Sequence, residues 1–221
     1  MRLTDGTASH WDLVVGADGL SSRVRQIVFP QAAGPRFTGQ ACWRLVVPRP
    51  PEIANRHFFL GGRCKAGLTP VSPQEMYLFL LEHVPSNPWR DPAQQHVELR
   101  RLLAGYGGPL ADIREGLGPD SRIVYRPLES HFLGACWHRG RVVVIGDAAH
   151  ATTPQLAAGA GMGIEDGLVL GEELARPQTL DQALATFMWR RHGRCRMVVE
   201  NSLRIGELEV TGAPPSAQTA V

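Results

Sequence analysis

Four consecutive β-branched residues, Val142 to Ile145, stand with no polar position between them. A run without alternation suits a strand buried on both faces of a mostly parallel sheet, and it stops at Gly146. From Gly159 the period changes. Ile164, Leu168 and Leu174 recur at helical spacing while Glu172 and Glu173 fall off their face, which predicts an amphipathic helix with those three as its apolar stripe. Between residues 36 and 128 the texture is different again. Short apolar runs at 41–47, 57–60 and 76–81, parted by Pro- and Gly-rich turns, predict an antiparallel sheet with a helix over 93–103 beside it. Near the end, Leu184, Phe187, Met188, Val198, Leu203, Ile205 and Leu208 outline a helix over 180–208, opened by a capping box of Thr179 and Gln182. At the start, Asp5-Gly6 is a turn dipeptide closing a hairpin.

Composition narrows this picture. The 221 residues suffice for one large domain or two small ones, and a formal net charge of +2 is no polyanion-binding signature. Arg190, Arg191, Arg194 and Arg196 are the one basic cluster, and their place between apolar helix positions reads as a solvated face, not a nucleic-acid surface. Cys42, Cys64, Cys136 and Cys195 form no CxxC pair and no zinc spacing, so free thiols in a reducing, cytoplasmic compartment are expected. No apolar stretch is long enough to span a membrane.

The candidate chemistry gathers behind the strand 142–145. Gly146 permits a sharp backbone turn, Asp147 then offers a carboxylate to polyol hydroxyls, and Pro154 stiffens the next loop. Gly159, Gly161 and Gly163, with Met162 among them, strip side chains from a helix start, where unpaired N–H groups and the positive dipole end favour an electron-rich ligand. Glu165 and Asp166 are expected to suit that dipole from the first turn. His150 has no second His, Cys or carboxylate at ligand spacing, so a ring hydrogen-bonded within its loop is expected rather than a base or a metal ligand.

The order GDAAH at 146–150, proline at 154, and a GxGM stretch at 159–162 followed by Glu165-Asp166 resembles the second flavin fingerprint of the FAD-dependent aromatic hydroxylases, the class A flavoprotein monooxygenases. A second signature, GADGLSSRVR at 16–25, resembles the same family's other motif, with Asp18, Gly19, Ser22, Val24 and Arg25 in place. Two signatures in the right order are far less accidental than one. Ala160 and Gly163 depart from the glutamine and asparagine common in the family, which leaves flavin contacts there to the backbone.

The resemblance implies an α/β fold: a Rossmann-like FAD/NAD(P)-binding domain with an inserted antiparallel substrate sheet. It implies boundaries at 1–35 and 129–221 for the FAD-binding part, the latter with the C-terminal helices, and 36–128 for the sheet. The family's opening strand, GxGxxG loop and helix do not precede Met1, so the FAD-binding domain is expected to be incomplete at its N-terminus. The implied activity is hydroxylation of a small aromatic or heteroaromatic substrate with O2 and NADH or NADPH through a flavin hydroperoxide, the cofactor carrying the hard chemistry with no acid–base side chain. Cofactor contacts are expected from Asp18, Gly19, Arg25, Gly146, Asp147, Pro154, Gly159, Gly161, Met162 and Gly163, although for Arg25 an internal ion pair is an equal reading. Trp43, Arg44, Phe58 and Tyr77 are the candidates for the substrate face, although aromatic residues in a half-buried sheet more often belong to the core, and Tyr125 and Arg126 are balanced between an anion contact and a returning strand. Cousins with this fold include epoxidases, polyprenyl reductases and halogenases. A halogenase needs a lysine near the flavin, and the single lysine, Lys65, lies in the substrate sheet. A reading of another class is a non-catalytic, partner-binding fragment of such an enzyme.

Overall fold

A computed structural model describes residues 2–60, 62–134 and 136–218. In chain order the elements are β1 (Val14–Gly16), α1 (Arg23–Val28), β2 (Arg36–Pro48), β3 (His57–Phe59), β4 (Lys65–Pro70), β5 (Glu75–His83), α2 (Gln95–Leu102), α3 (Pro109–Gly116), β6 (Val124–Ser130), β7 (His138–Arg139), β8 (Val142–Val144), α4 (Asp147–His150), α5 (Gly159–Leu174), α6 (Leu180–Val210) and α7 (Pro215–Gln218). The chain divides into two compact units. Residues up to 36 together with 129–206 form the first, and 37–128 together with those from 207 on form the second.

In the first unit the β-branched run forms β8 at the centre of a three-stranded sheet ordered β1-β8-β7. β1 runs parallel to it, pairing Val14 with Val142 and Gly16 with Val144, and β7 runs antiparallel. Val143 and Val144 are fully buried, in a core with Trp137, Leu184, Phe187, Met162 and Leu170. The expected apolar stripe of α5 is not the buried one. Ile164, Leu168 and Leu174 are exposed, whereas Met162, Asp166, Leu170 and Glu173 face inward. The inversion has an electrostatic reason, because the buried carboxylates find arginines on α6. Arg191 bonds Asp166, and Arg190 bonds Glu173 at 2.7 Å. The arginine cluster is therefore not a uniformly solvated face, since Arg191 is only 3% exposed while Arg194 and Arg196 lie at the surface. The capping box opens α6 as expected: the Thr179 amide donates to Gln182 Oε1 at 2.9 Å and the Gln182 amide to Thr179 Oγ1 at 3.3 Å.

The second unit is a five-stranded sheet ordered β3-β4-β5-β2-β6. β4 and α3 lie outside the sequence expectations. β4 reads KAGLTP, too short and too small to alternate visibly, and α3 opens on Gly108 and Pro109, a proline at the first helical position. Register assigns the two faces. Trp43, Leu80 and Ala66 share one cross-strand row, and Leu45, Leu78 and Leu68 the next. These residues are all at most 6% exposed and pack against Leu99, Leu102 and Leu103 at the end of α2 and against Leu110 and Ile113 of α3. Each buried leucine contributes about 1.5–3 kcal/mol of hydrophobic stabilisation. The opposite face carries the rows Cys42-Leu81-Lys65, Arg44-Phe79-Gly67-Phe58 and Val46-Tyr77-Thr69.

Trp43 is consequently removed from the substrate-face candidates. Successive side chains of a strand point to opposite sides, so Trp43 and Arg44 cannot share a face. Trp43 lies fully buried with its ring 4.7 Å from Tyr125 and its Nε1–H donating to Glu82 at 2.9 Å. Tyr125 joins it on the helix-covered side. Arg44, Phe58 and Tyr77 remain together on the other. A Cβ on Gly67 would overlap the Phe79 ring, so the glycine is what lets Phe79 lie flat across the row.

Candidate functional site

The two motifs of the first unit leave the C-terminal ends of adjacent parallel strands, β1 and β8, where ligands of α/β sheets bind. The Ile145 amide donates to Gly16 O at 3.0 Å, so the chain departs into both loops at the same level. In the first loop the Asp18 carboxylate works on its own chain. Ser22 Oγ donates to one oxygen at 2.5 Å, and the Arg23 and Val24 amides donate to the other at 2.7 and 3.1 Å. Burial alone would raise its pKa, but these donors outweigh it and hold the carboxyl below its ordinary value. Ser22 in turn caps α1 through the Arg25 amide at 2.9 Å.

Arg25 joins the motifs. It is 2% exposed, and its guanidinium donates to Leu20 O at 2.6 Å in its own loop and to Ala148 O at 2.8 Å in α4. The equal reading of Arg25 as an internal brace is the one its geometry fits, although its partners are carbonyls and not an anion. The positive charge also acts on His131, 5% exposed, whose pKa is pushed down to about 4 by burial first and by Arg25 second.

In the second loop Gly146 takes φ +59° and ψ −143°, a conformation available essentially to glycine alone. Its amide donates to Asp166 Oδ2 at 2.8 Å, and the same oxygen meets His150 Nε2 at 2.6 Å. Asp166 Oδ1 accepts from Arg191 Nε at 2.7 Å, while Arg191 also donates to Met162 O at 3.2 Å and Glu165 at 2.5 Å. One carboxylate and one guanidinium thus lock the strand-end turn, α4 and the start of α5 to each other. Burial would raise the Asp166 pKa, yet His150, Gly146 and Arg191 together hold it below the ordinary value. Glu165 is held down to about 2, chiefly by Arg194.

Three expectations change here. Asp166 and Glu165 do not sit in the first turn of α5, which begins at Gly159; they lie in its second and reach inward or across to α6. His150 is indeed structural, but its ring is bound to α5 and not within its own loop. The reasoning that no further ligand types stand near it also fails, because His150, Asp166 and Cys195 place ligand atoms within 4.8 Å of one another. The cluster does not fit a metal ion. Arg191 already supplies the positive charge that Asp166 pairs with, at 2.7 Å.

Beside the lock, several polar groups keep unused hydrogen-bonding capacity. α5 starts with no side-chain cap, so its first amides keep the unpaired donors of every helix start. A Cβ at Gly161 would meet nothing within 4 Å, and the Gly146 and Gly163 backbones approach so closely that a Cβ on either would stand 3.7 Å from the other's Cα. Asp147 is exposed with no hydrogen-bond partner among the described residues, and Pro154 follows Thr153, whose buried Oγ1 also lacks one. Free amide donors near an exposed carboxylate acceptor suit a ligand with a polar heterocycle and a polyol, which are the recognisable parts of FAD. Asp166 could have been sought from the Glu-Asp pair that closes the motif. For Arg191 the sequence carries no comparable signal.

Comparison with known proteins agrees. The FAD binding domain family matches residues 4–202. The 2-heptyl-3-hydroxy-4(1H)-quinolone synthase of Pseudomonas aeruginosa is 38% identical over 94% of this chain and 54% of its own length. The FAD-dependent urate hydroxylase of Klebsiella pneumoniae is 29% identical over 89% of this chain and 52% of its own. The structure of Klebsiella pneumoniae HpxO complexed with FAD and uric acid superposes with a TM-score of 0.85 at 26% identity, over 96% of this chain and 56% of that one. The chain thus spans about half the length of these relatives. It belongs to the FAD binding domain family of the flavoprotein monooxygenases, the aromatic hydroxylases whose two motifs it carries.

Proposed function

We propose that this chain carries the flavin end of an FAD-dependent monooxygenase that hydroxylates a small aromatic or heteroaromatic compound with O2 and NADH or NADPH. One observation bears most of the weight: Arg25 ties the first motif to α4 and Asp166 ties the Gly146 turn to α5, so that exposed Asp147 and the uncapped start of α5 belong to one braced region at the strand ends. Asp147 would hold the ribityl hydroxyls. The backbone around Gly159, Gly161, Met162 and Gly163 would face the pyrimidine edge, where the helix dipole favours the negative charge of the reduced cofactor. Asp18 and Gly19 shape the neighbouring loop, and Arg25 acts through the carbonyls it holds. When bound, FAD supplies the transfer of electrons from the nicotinamide and of oxygen to the ring. The residues of this chain contribute placement, charge and exclusion of water.

The aromatic substrate class rests on two supports. The open face of the second unit's sheet sets Phe58, Phe79 and Tyr77 in contact, with Phe58 and Phe79 centroids 5.9 Å apart and Arg44 in their row. The relatives named above are named for making a quinolone and for hydroxylating urate. Unpaired Cys42, Cys64, Cys136 and Cys195 fit a reducing, cytoplasmic setting. Equilibrium dialysis against FAD tests the reading. The wild-type chain is expected to retain yellow flavin and Asp147→Ala to weaken retention at least tenfold; a colourless wild type, or an Asp147→Ala protein that holds flavin equally well, defeats it.

A further inference from the structure

Where β2 ends and β5 begins, against α3 and the 117–122 turn, the second unit holds a cavity of about 730 Å³. Leu45, Val47, Met76, Ile113 and Leu117 give it an apolar part, and Arg49 and Arg122 of one sign face it together with Asp112 and Asp120 of the other. None of these four charged side chains makes a hydrogen bond or an ion pair among the described residues, although both signs line one space. Arg49 is the unusual member. Asp112, Asp120 and Arg122 are exposed to solvent, whereas the Arg49 Nε–H is buried without a partner. Pro48 and Pro50 flank it and its amide donates to Gln74 O at 2.8 Å, so the backbone that carries the guanidinium is fixed. Buried polar groups are nearly always partnered, and here the chain itself supplies no acceptor. We propose that this cavity is a second ligand site, which takes apolar α-amino acids as zwitterions.

The site is separate from the face assigned to the aromatic substrate. Arg44, Phe58 and Tyr77 do not line it, and its floor residues Leu45 and Met76 belong to the core that the sheet shares with α2 and α3. A carboxylate is the acceptor that best fits a guanidinium, because its two oxygens take parallel hydrogen bonds from the planar fork. A ligand with a carboxylate alone stands in the field of Asp112 and Asp120, and one with an amine alone meets two arginines and leaves the buried Nε–H as it was. A wholly apolar ligand covers the charges without pairing them. An α-amino acid carries both signs on one carbon and so answers both, while its side chain lies on the apolar part. The volume falls within the range of small-molecule pockets.

Calorimetric titration of the full chain with L-tryptophan, L-leucine, tryptamine and indole-3-propionate tests this. Tryptamine lacks the carboxylate and indole-3-propionate the ammonium. The wild type is expected to bind both amino acids saturably, and L-tryptophan roughly tenfold or more tightly than either analogue, since each analogue leaves one charged partner unmatched. Arg49→Met should bring L-tryptophan down to the level of tryptamine, and the pair Asp112→Asn with Asp120→Asn should bring it down to that of indole-3-propionate. The melting temperature of Arg49→Met should match the wild type, because the guanidinium holds nothing in the chain. No saturable binding of either amino acid, equal affinity for the three indole compounds, or tryptophan binding that survives Arg49→Met overturns the proposal, and the first two outcomes need no variant to fold. FAD retention is measured separately and bears on the monooxygenase reading alone.

Discussion

The two units bury opposite kinds of chemistry. The first encloses Arg25, His150, Asp166, Glu173 and Arg191, and uses them to hold backbone loops in place. The second fills its interior chiefly with Trp43, Leu68, Leu78, Leu80, Leu99 and Leu103, with Glu82 as a buried partner of Trp43, and sets most of its polar chemistry on the open face. Backbone amides and strained turns need exact, directional restraint, which charged hydrogen bonds supply. A face that reads a ligand with side chains needs only a rigid sheet beneath it, which apolar packing supplies without directionality.

The contrast predicts where each unit is fragile. Arg191→Ala should be the most damaging single change, costing about 3–5 kcal/mol because buried Asp166 loses its cationic partner and keeps only His150 and the Gly146 amide. Thermal melts would show it, and hydrogen exchange should place the lost protection in α5 and the 146–150 turn while the five-stranded sheet keeps its own. Protection lost evenly from both units would end the distinction. Leu78→Ala tests the other side, with a cost of about 2–5 kcal/mol from lost burial and the cavity left behind. Its exchange signature should be confined to the sheet and helices of the second unit.

Acid sharpens the same point. The folded chain keeps His131 neutral down to about pH 4, whereas an ordinary histidine protonates near 6.5, so its contribution is complete above 6.5 and is lost as pH falls toward 4. That amounts to roughly 3 kcal/mol at most. Melting temperature should therefore decline across this window in the wild type and flatten in His131→Gln. Glu165 adds a lower window, its stabilisation complete above its ordinary 4.5 and fading as pH falls to about 2. The smallest expected effect is Gly146→Ala. Forcing a side chain to φ +59° and ψ −143° costs about 1–3 kcal/mol. Flavin retention should suffer more than stability, because the turn aims Asp147.

Legibility followed the same division. The strand at 142–144, the glycine turn behind it and the capped start of α6 were readable, since each depends on residues adjacent in the chain. The buried face of α5 was misread because hydrophobicity nominated Ile164 and Leu168, whereas paired charges drew Asp166 and Glu173 inside. Trp43 lies in the core, the commoner place for an aromatic residue of a half-buried sheet, and strand alternation sends Arg44 to the opposite face. β4 escaped notice for want of any apolar pattern, and Glu209 entered no expectation, being 144 residues from its partner Lys65.

By itself the sequence determined the backbone chemistry of the two loops and the family to which the chain belongs: only glycine readily adopts the Gly146 turn, and side-chain-poor residues leave the α5 start uncapped. The tertiary structure alone decided which carboxylates are locked and which stay exposed, that Arg25 serves the neighbouring loop, and that Lys65 pairs with Glu209. The reason is one of distance. Local conformation is governed by covalently neighbouring groups, whereas the fate of a charge depends on whichever partner the fold brings within about 3 Å of it.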